Sequence, residues 1–130
     1  MGPSVLRLIR RRESQGPDPR KAMAAIRDRW SQSVPADFGD AGVVMEFYGR
    51  SYRDVKEYLG YLLETPTEGL LADELRTEMT RRSTGPDLTE RAANVLSVCE
   101  TARYASHPAE LNSAAARELA DEMREIFHTS

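Results

Sequence analysis

Apolar residues return every third or fourth position through most of this chain, the spacing of one face of an α-helix. Ala22, Ile26 and Trp30, with Met23 beside them, predict a first helix over about 19–32. Asp18 is placed to cap it and Pro19 to open its first turn. Val44, Phe47, Ser51, Val55, Tyr58 and Leu62 trace a second face over about 40–64, widened by Val43, Tyr48, Tyr52 and Leu59. Gly42, Gly49 and Gly60 each weaken that helix by roughly 1 kcal/mol relative to Ala. A face this broad predicts a central helix whose packing offsets the loss, with Gly49 marking a kink or a close crossing. Ser33 to Asp40, with Pro35 and Gly39, reads as a loop.

Thr65-Pro66-Thr67-Glu68 has the form of a capping box, with Thr as cap, Pro first and Glu third. It predicts a third helix from Pro66 to about Arg82 that buries Leu71, Leu75 and Met79. Ser83-Thr84-Gly85-Pro86 is a stop and turn. Asp87-Leu88-Thr89-Glu90 repeats the start logic with Asp at the cap, giving a fourth helix over about 88–105. Its apolar stripe is Leu88, Ala92, Val95, Cys99 and Ala102, with Leu96 adjacent. Ser106-His107-Pro108 breaks it. Asn112 or Ser113 caps a fifth helix over about 113–127, with Ala116, Leu119, Met123, Ile126 and Phe127 inward. Ahead of all these, Val5 to Glu13 has the makings of a short helix.

Period-2 alternation is not sustained anywhere, so the expected fold is an all-α bundle of four to five amphipathic helices. It is expected to occupy residues 18–130, behind a basic segment at 1–17. No stretch approaches the roughly 18 apolar residues of a membrane span, and no signal-peptide pattern is present. The single cysteine, Cys99, leaves no internal disulfide and fits a reducing compartment.

Charge changes this picture. The net charge of −3 conceals a basic head on an acidic body. Residues 1–30 carry eight basic and three acidic side chains, and residues 31–130 carry ten and eighteen. Arg7, Arg10, Arg11, Arg12, Arg20 and Lys21 are therefore candidates for contact with an anionic surface, lipid headgroups above all. Nucleic acid is the alternative target of the same arm, making the chain a small nucleic-acid-binding regulator. The acidic body disfavours it, since a DNA-reading domain presents a basic face.

Catalytic chemistry finds little foothold. His107 precedes a proline in a turn and His128 stands near the end, both read as surface residues. Cys99 lies on an apolar stripe, where a free thiol behaves as a small hydrophobe. Asp73-Glu74 and Asp121-Glu122 read as solvent faces rather than metal ligands. No glycine-rich phosphate loop occurs. The expectation is a non-enzyme without cofactor or metal.

Three short pieces stand apart: Val55-Lys56-Glu57-Tyr58-Leu59 (with Phe47-Tyr48 ahead of it), Thr65-Pro66-Thr67-Glu68, and Glu100-Thr101-Ala102-Arg103-Tyr104-Ala105. In this order, behind the arginine-rich Arg10-Arg11-Arg12 and Arg20-Lys21-Ala22, they resemble the cytosolic helical region of bacterial aerotolerance-operon (Bat-type) membrane proteins. The resemblance spans roughly residues 20–127. It departs from that pattern where Gly69 stands for Leu, Lys56 for Arg, Glu100 for Asp and Tyr104 for Phe.

The resemblance implies association rather than catalysis, with MoxR-type AAA+ ATPases and von Willebrand factor A proteins as partners at the cytoplasmic face of a membrane. In those families a transmembrane helix precedes the arginine-rich stretch. The matched residues are Phe47, Tyr58, Leu59, Thr65, Glu68, Glu100, Arg103 and Tyr104. The physical expectation for them is core packing, because apolar positions at helical spacing are usually core. Arg76, Arg81 and Arg82 are candidate exposed contacts on the third helix.

Overall fold

A computed structural model of the chain describes residues 18–103 and 112–129. The basic segment with Arg7, Arg10, Arg11 and Arg12, the short helix expected at Val5 to Glu13, and Tyr104 and His107 lie outside the described residues. Among the described residues there are five helices and no strand, so the fold is the expected all-α bundle. The helices are α1 (Pro19–Ser33), α2 (Ala41–Leu63), α3 (Ala72–Arg81), α4 (Pro86–Arg103) and α5 (Ser113–Thr129). None of them is long and apolar enough to cross a membrane.

The ends of α1, α2 and α5 follow the local signals. The Asp18 carboxylate accepts from the Arg20 N–H at 2.9 Å, and Asp40 accepts from the Gly42 and Val43 N–H groups at 2.7 and 3.2 Å. Asn112 Oδ1 accepts from the Ala115 N–H at 2.8 Å, which makes Asn112 the cap of α5. Each bond satisfies a donor that the first turn leaves without an intrahelical partner.

α2 is the hub, packing against α1, α4 and α5, while α3 packs against α4. Phe127 of α5 lies between Trp30 of α1 (ring centroids 5.4 Å apart) and Tyr58 of α2 (4.8 Å, edge to face). Trp30 is fully buried and its indole N–H donates to Ser51 Oγ at 3.0 Å. Such aromatic pairs contribute roughly 0.5–1.5 kcal/mol beyond their buried area. Phe38, from the 34–40 loop, is also core and rests on Phe47 at 5.0 Å. The stripes expected for the fourth and fifth helices are buried throughout.

The third helix departs from expectation. It starts at Ala72, not Pro66, and Thr65 caps nothing. α2 closes through Glu64 in the left-handed region, with the Thr65 N–H donating back to the Gly60 carbonyl at 3.1 Å. Thr67 is then buried and its hydroxyl donates to the Lys56 carbonyl at 2.7 Å, while Lys56 Nζ donates to the Glu68 carbonyl at 2.9 Å. These tertiary bonds lay residues 64–71 along α2 as an open strap, and a local capping pattern loses to them. Leu71, expected inside, is 55% exposed as the residue before α3.

α4 likewise begins at Pro86, with the Gly85 carbonyl accepting from the Thr89 N–H at 3.0 Å. Gly85 sits at φ +105°, which only glycine adopts without strain, so the cap falls there and Asp87 joins the first turn. The crossing expected at Gly49 is not present. α2 runs unbroken through it, and a Cβ there would meet nothing within 4 Å. The close approach is at Gly60, where a Cβ would come within 3.2 Å of Thr67 Oγ1 and 3.3 Å of the Thr65 carbonyl oxygen.

Candidate functional site: a cationic tyrosine groove

The strap, the second half of α2 and the end of α4 enclose a groove of about 740 Å³. A second hollow of about 550 Å³ adjoins it along α2 and shares Tyr52, Arg53 and Arg103. Tyr52 is the floor. Lys56 Nζ stands 4.9 Å from the centre of its ring and Arg103 Cζ 5.5 Å, so two cations flank one aromatic face. Arg53, one residue on from Tyr52 and exposed, lines both hollows.

Glu100 of α4 organises this region. One of its carboxylate oxygens, Oε2, accepts from the Tyr52 hydroxyl at 3.0 Å and from the Ala72 N–H at 2.8 Å. The second bond caps α3 from a different helix, where the positive end of the α3 dipole favours a carboxylate. Glu74 completes that start by accepting from the Leu71 N–H at 3.0 Å. Burial pushes the Tyr52 phenol up to about 12, with the hydrogen bond to Glu100 reinforcing the shift. Tyr52 is therefore a fixed, neutral platform.

The groove is short of negative charge. Neither Arg53 nor Arg103 has a carboxylate partner among the described residues. Lys56 is held by a backbone carbonyl and a ring, and burial lowers its ammonium below the ordinary value, opposed by Glu100 and assisted by Arg103. Of the nearby acids, Glu46 is taken by Arg50 at 2.7 Å and Glu57 by Arg29 at 2.9 Å.

The opposite flank of α2 contrasts with this. Arg29 of α1 donates from Nη2 to Asp54 Oδ1 at 2.6 Å and to Glu57 Oε2 at 2.9 Å. The Asp54 side chain is 0% exposed and that of Arg29 52%. Asp54 Oδ2 meets no donor among the described residues. The hydrogen bonds to Glu57 and then Asp54 raise the arginine above its usual value. This cluster pins α1 to α2.

Other sequence candidates fall into place. Cys99 is fully buried, and burial pushes its thiol up to about 12, which removes the thiolate a nucleophile needs. His128 is exposed. No group of three or more metal-ligating side chains occurs among the described residues. Asp121 and Glu122 pair with Arg124 and Arg91. Arg76 faces Glu90, Arg81 grips Glu78, and Arg82 donates to the Leu63 carbonyl at 2.6 Å, so these three serve the fold.

The three pieces singled out in the sequence meet here. Phe47, Tyr58 and Leu59 are core, as expected. Glu68 and Arg103 are exposed, and Thr65 and Glu100 only half-buried, so these four are not core residues. Their charges and loop position set them at the groove rim and in its wall instead. Arg20 and Lys21 are exposed at the start of α1. Tyr52 and Arg53 were missed as site residues. Tyr52 reads as one more member of a broad apolar face, and only its neighbours across helices mark it out.

Fold and groove together define a helical bundle with an open, cation-rich cleft and no convergence of catalytic groups among the described residues. Comparison with protein-family models, with curated proteins and with solved structures gives no match to this chain.

Proposed function

We propose that this chain is a non-catalytic helical protein-interaction module whose receptor surface is the Tyr52 groove. The observation that carries this reading is the concentration of Arg53, Lys56 and Arg103 around one tyrosine in a chain of net charge −3. Cations left without carboxylate partners on a rigid aromatic floor are a binding surface waiting for a complement, and arginine and tyrosine dominate such contacts. A groove of this volume lies within the about 300–1,000 Å³ range of ligand sites.

The resemblance to aerotolerance-type proteins suggests the setting: a membrane-associated assembly with a MoxR-type ATPase and a von Willebrand factor A protein at the cytoplasmic face. In that setting the basic segment, with Arg7, Arg10, Arg11, Arg12, Arg20 and Lys21, lies against anionic headgroups while the groove engages the protein partner. Calorimetric titration of the full chain with each of the two partner proteins tests the assembly. Micromolar binding lost on Arg53→Glu with Arg103→Glu supports it, and absence of heat with both partners removes it. Flotation with phosphatidylglycerol vesicles tests the arm. Equal binding by the full chain and by a version lacking residues 1–17 removes that contact.

A further inference from the structure

We infer that the occupant of the Tyr52 groove is a short acidic peptide segment, with a carboxylate seated between Arg53 and Arg103 and a neighbouring apolar side chain laid against Tyr61 and Pro66. This deepens the interaction-module reading and rests on it for the role of the site.

Charge complementarity is the first argument. Arg53 and Arg103 come from α2 and α4 and line both adjoining hollows, so they stand where the two spaces join. An anion placed there meets two guanidinium groups, and Lys56 faces the same space from across the Tyr52 ring. Guanidinium groups bind carboxylates in bidentate fashion, which gives orientation as well as attraction.

The size of the groove is the second argument. About 740 Å³ is far more than one carboxylate or phosphate fills, so the ligand must bring more than its charge. The remaining wall supplies the surface for it: Tyr61 is partly buried against the core, and Pro66 is held open on the strap.

The rim is the third. Glu57 and Glu68 border the groove, and the whole chain is net acidic. A flat, densely anionic bilayer or a nucleic acid backbone would set its charges against these carboxylates and against the field of the body. An extended peptide with one or two carboxylates places them inside and presents neutral backbone to the rim.

The test is fluorescence anisotropy with a fluorescein-labelled peptide of alternating Glu and Leu, its Gln–Leu counterpart, and phosphatidylglycerol vesicles, all with the full chain. The Glu–Leu peptide is expected to bind at least about tenfold more tightly than the Gln–Leu peptide, a difference of about 1.4 kcal/mol. The preference should shrink as salt shortens the screening length. Arg53→Gln with Arg103→Gln should abolish it without changing the thermal midpoint, because both side chains are exposed. Tyr61→Ala should weaken the Glu–Leu peptide several-fold while leaving its preference over Gln–Leu. Nuclear magnetic resonance of the Lys56 ammonium should show its titration moving upward when the peptide is bound.

Equal binding of the two peptides overturns the inference. So does binding of vesicles, but of neither peptide, that the double arginine substitution removes, which would assign the groove to lipid headgroups. If neither peptide binds while the ATPase or von Willebrand partner does, the acidic-peptide inference falls and the interaction-module reading stands. If the Glu–Leu peptide binds with the stated preference but neither partner does, the inference stands and the named assembly falls.

Discussion

The two flanks of α2 hold their charges in opposite ways. Towards α1, Asp54 is fully buried and depends on one arginine that reaches in from the surface. Towards α4 and the strap, Glu100 gathers a phenol and a helix N-terminus, and leaves Lys56, Arg53 and Arg103 facing solvent. The first flank is closed and its electrostatics serve the fold. The second is open, and its surplus of positive charge is unspent in the folded chain. A buried carboxylate without its cation is costly, so the α1 side tolerates little change. A surface arginine without a carboxylate costs almost nothing, so the groove side is free to answer to a ligand.

The sharpest way to break this contrast is Arg29→Met. It strands Asp54, and the expected loss is about 3 kcal/mol in urea denaturation, the low end for a buried pair because Arg29 itself is half exposed. A loss below 1 kcal/mol would mean water reaches Asp54 and the closed flank is not closed.

Next in size is Glu100→Ala, which takes the shared acceptor from Tyr52 and Ala72. The expected loss is about 2 kcal/mol by the same measurement, as for hydrogen bonds to a charged group. It should also blunt peptide selectivity by freeing the tyrosine platform. A larger loss than for Arg29→Met would reverse the ranking of the two flanks.

Alkaline pH probes the interior that both flanks share. Cys99 and Tyr52 are held neutral, with both groups pushed up to about 12 from ordinary values of 9.0 and 10.0. Because the folded values lie above the unfolded ones, their contribution is complete below pH 9 and is lost as pH climbs from 9 towards 12. Each pH unit passed costs about 1.4 kcal/mol per group over that window. Lys56, whose value is lowered by burial, works in the opposite direction. Cys99→Ala should therefore move the onset of alkaline destabilisation from near 9 to near 10, read as the thermal midpoint against pH. An unchanged onset would show that the thiol is not the first group to respond.

The smallest effect is a gain. Gly49 sits exposed in the middle of α2, on the side of the second hollow, and a Cβ there meets nothing. Gly49→Ala should stabilise the protein by about 0.5–1 kcal/mol, the helix-propensity difference. A loss instead would reveal that this stretch of the open flank is already crowded.

The caps at Asp18, Asp40 and Asn112 were legible because a side chain and the N–H groups it serves lie within three residues of each other. The capping pattern at Thr65 to Glu68 misled for a related reason: nothing local reveals that Lys56, about ten residues back, already claims Thr67 and Glu68. Asp54 is the clearest omission. Its position two turns along from Phe47 puts it on the inward side of α2, yet a charged residue is read as solvent-facing unless its partner is known. That partner, Arg29, is on another helix. The pieces ending in Glu100 and Arg103 were picked out as a motif, but their convergence on Tyr52 appears only when α2 and α4 are set side by side.

What the sequence determined alone is therefore the class of fold, the number of helices and most of the residues that line the core. Helical periodicity, caps and turns are short-range, and burial of an apolar stripe follows from its spacing. The tertiary structure decided where α3 begins, which carboxylate is buried and which cations are left facing an open cleft. Those depend on hydrogen bonds and charge pairs between residues distant in the chain, and their energies exist only once the helices have met.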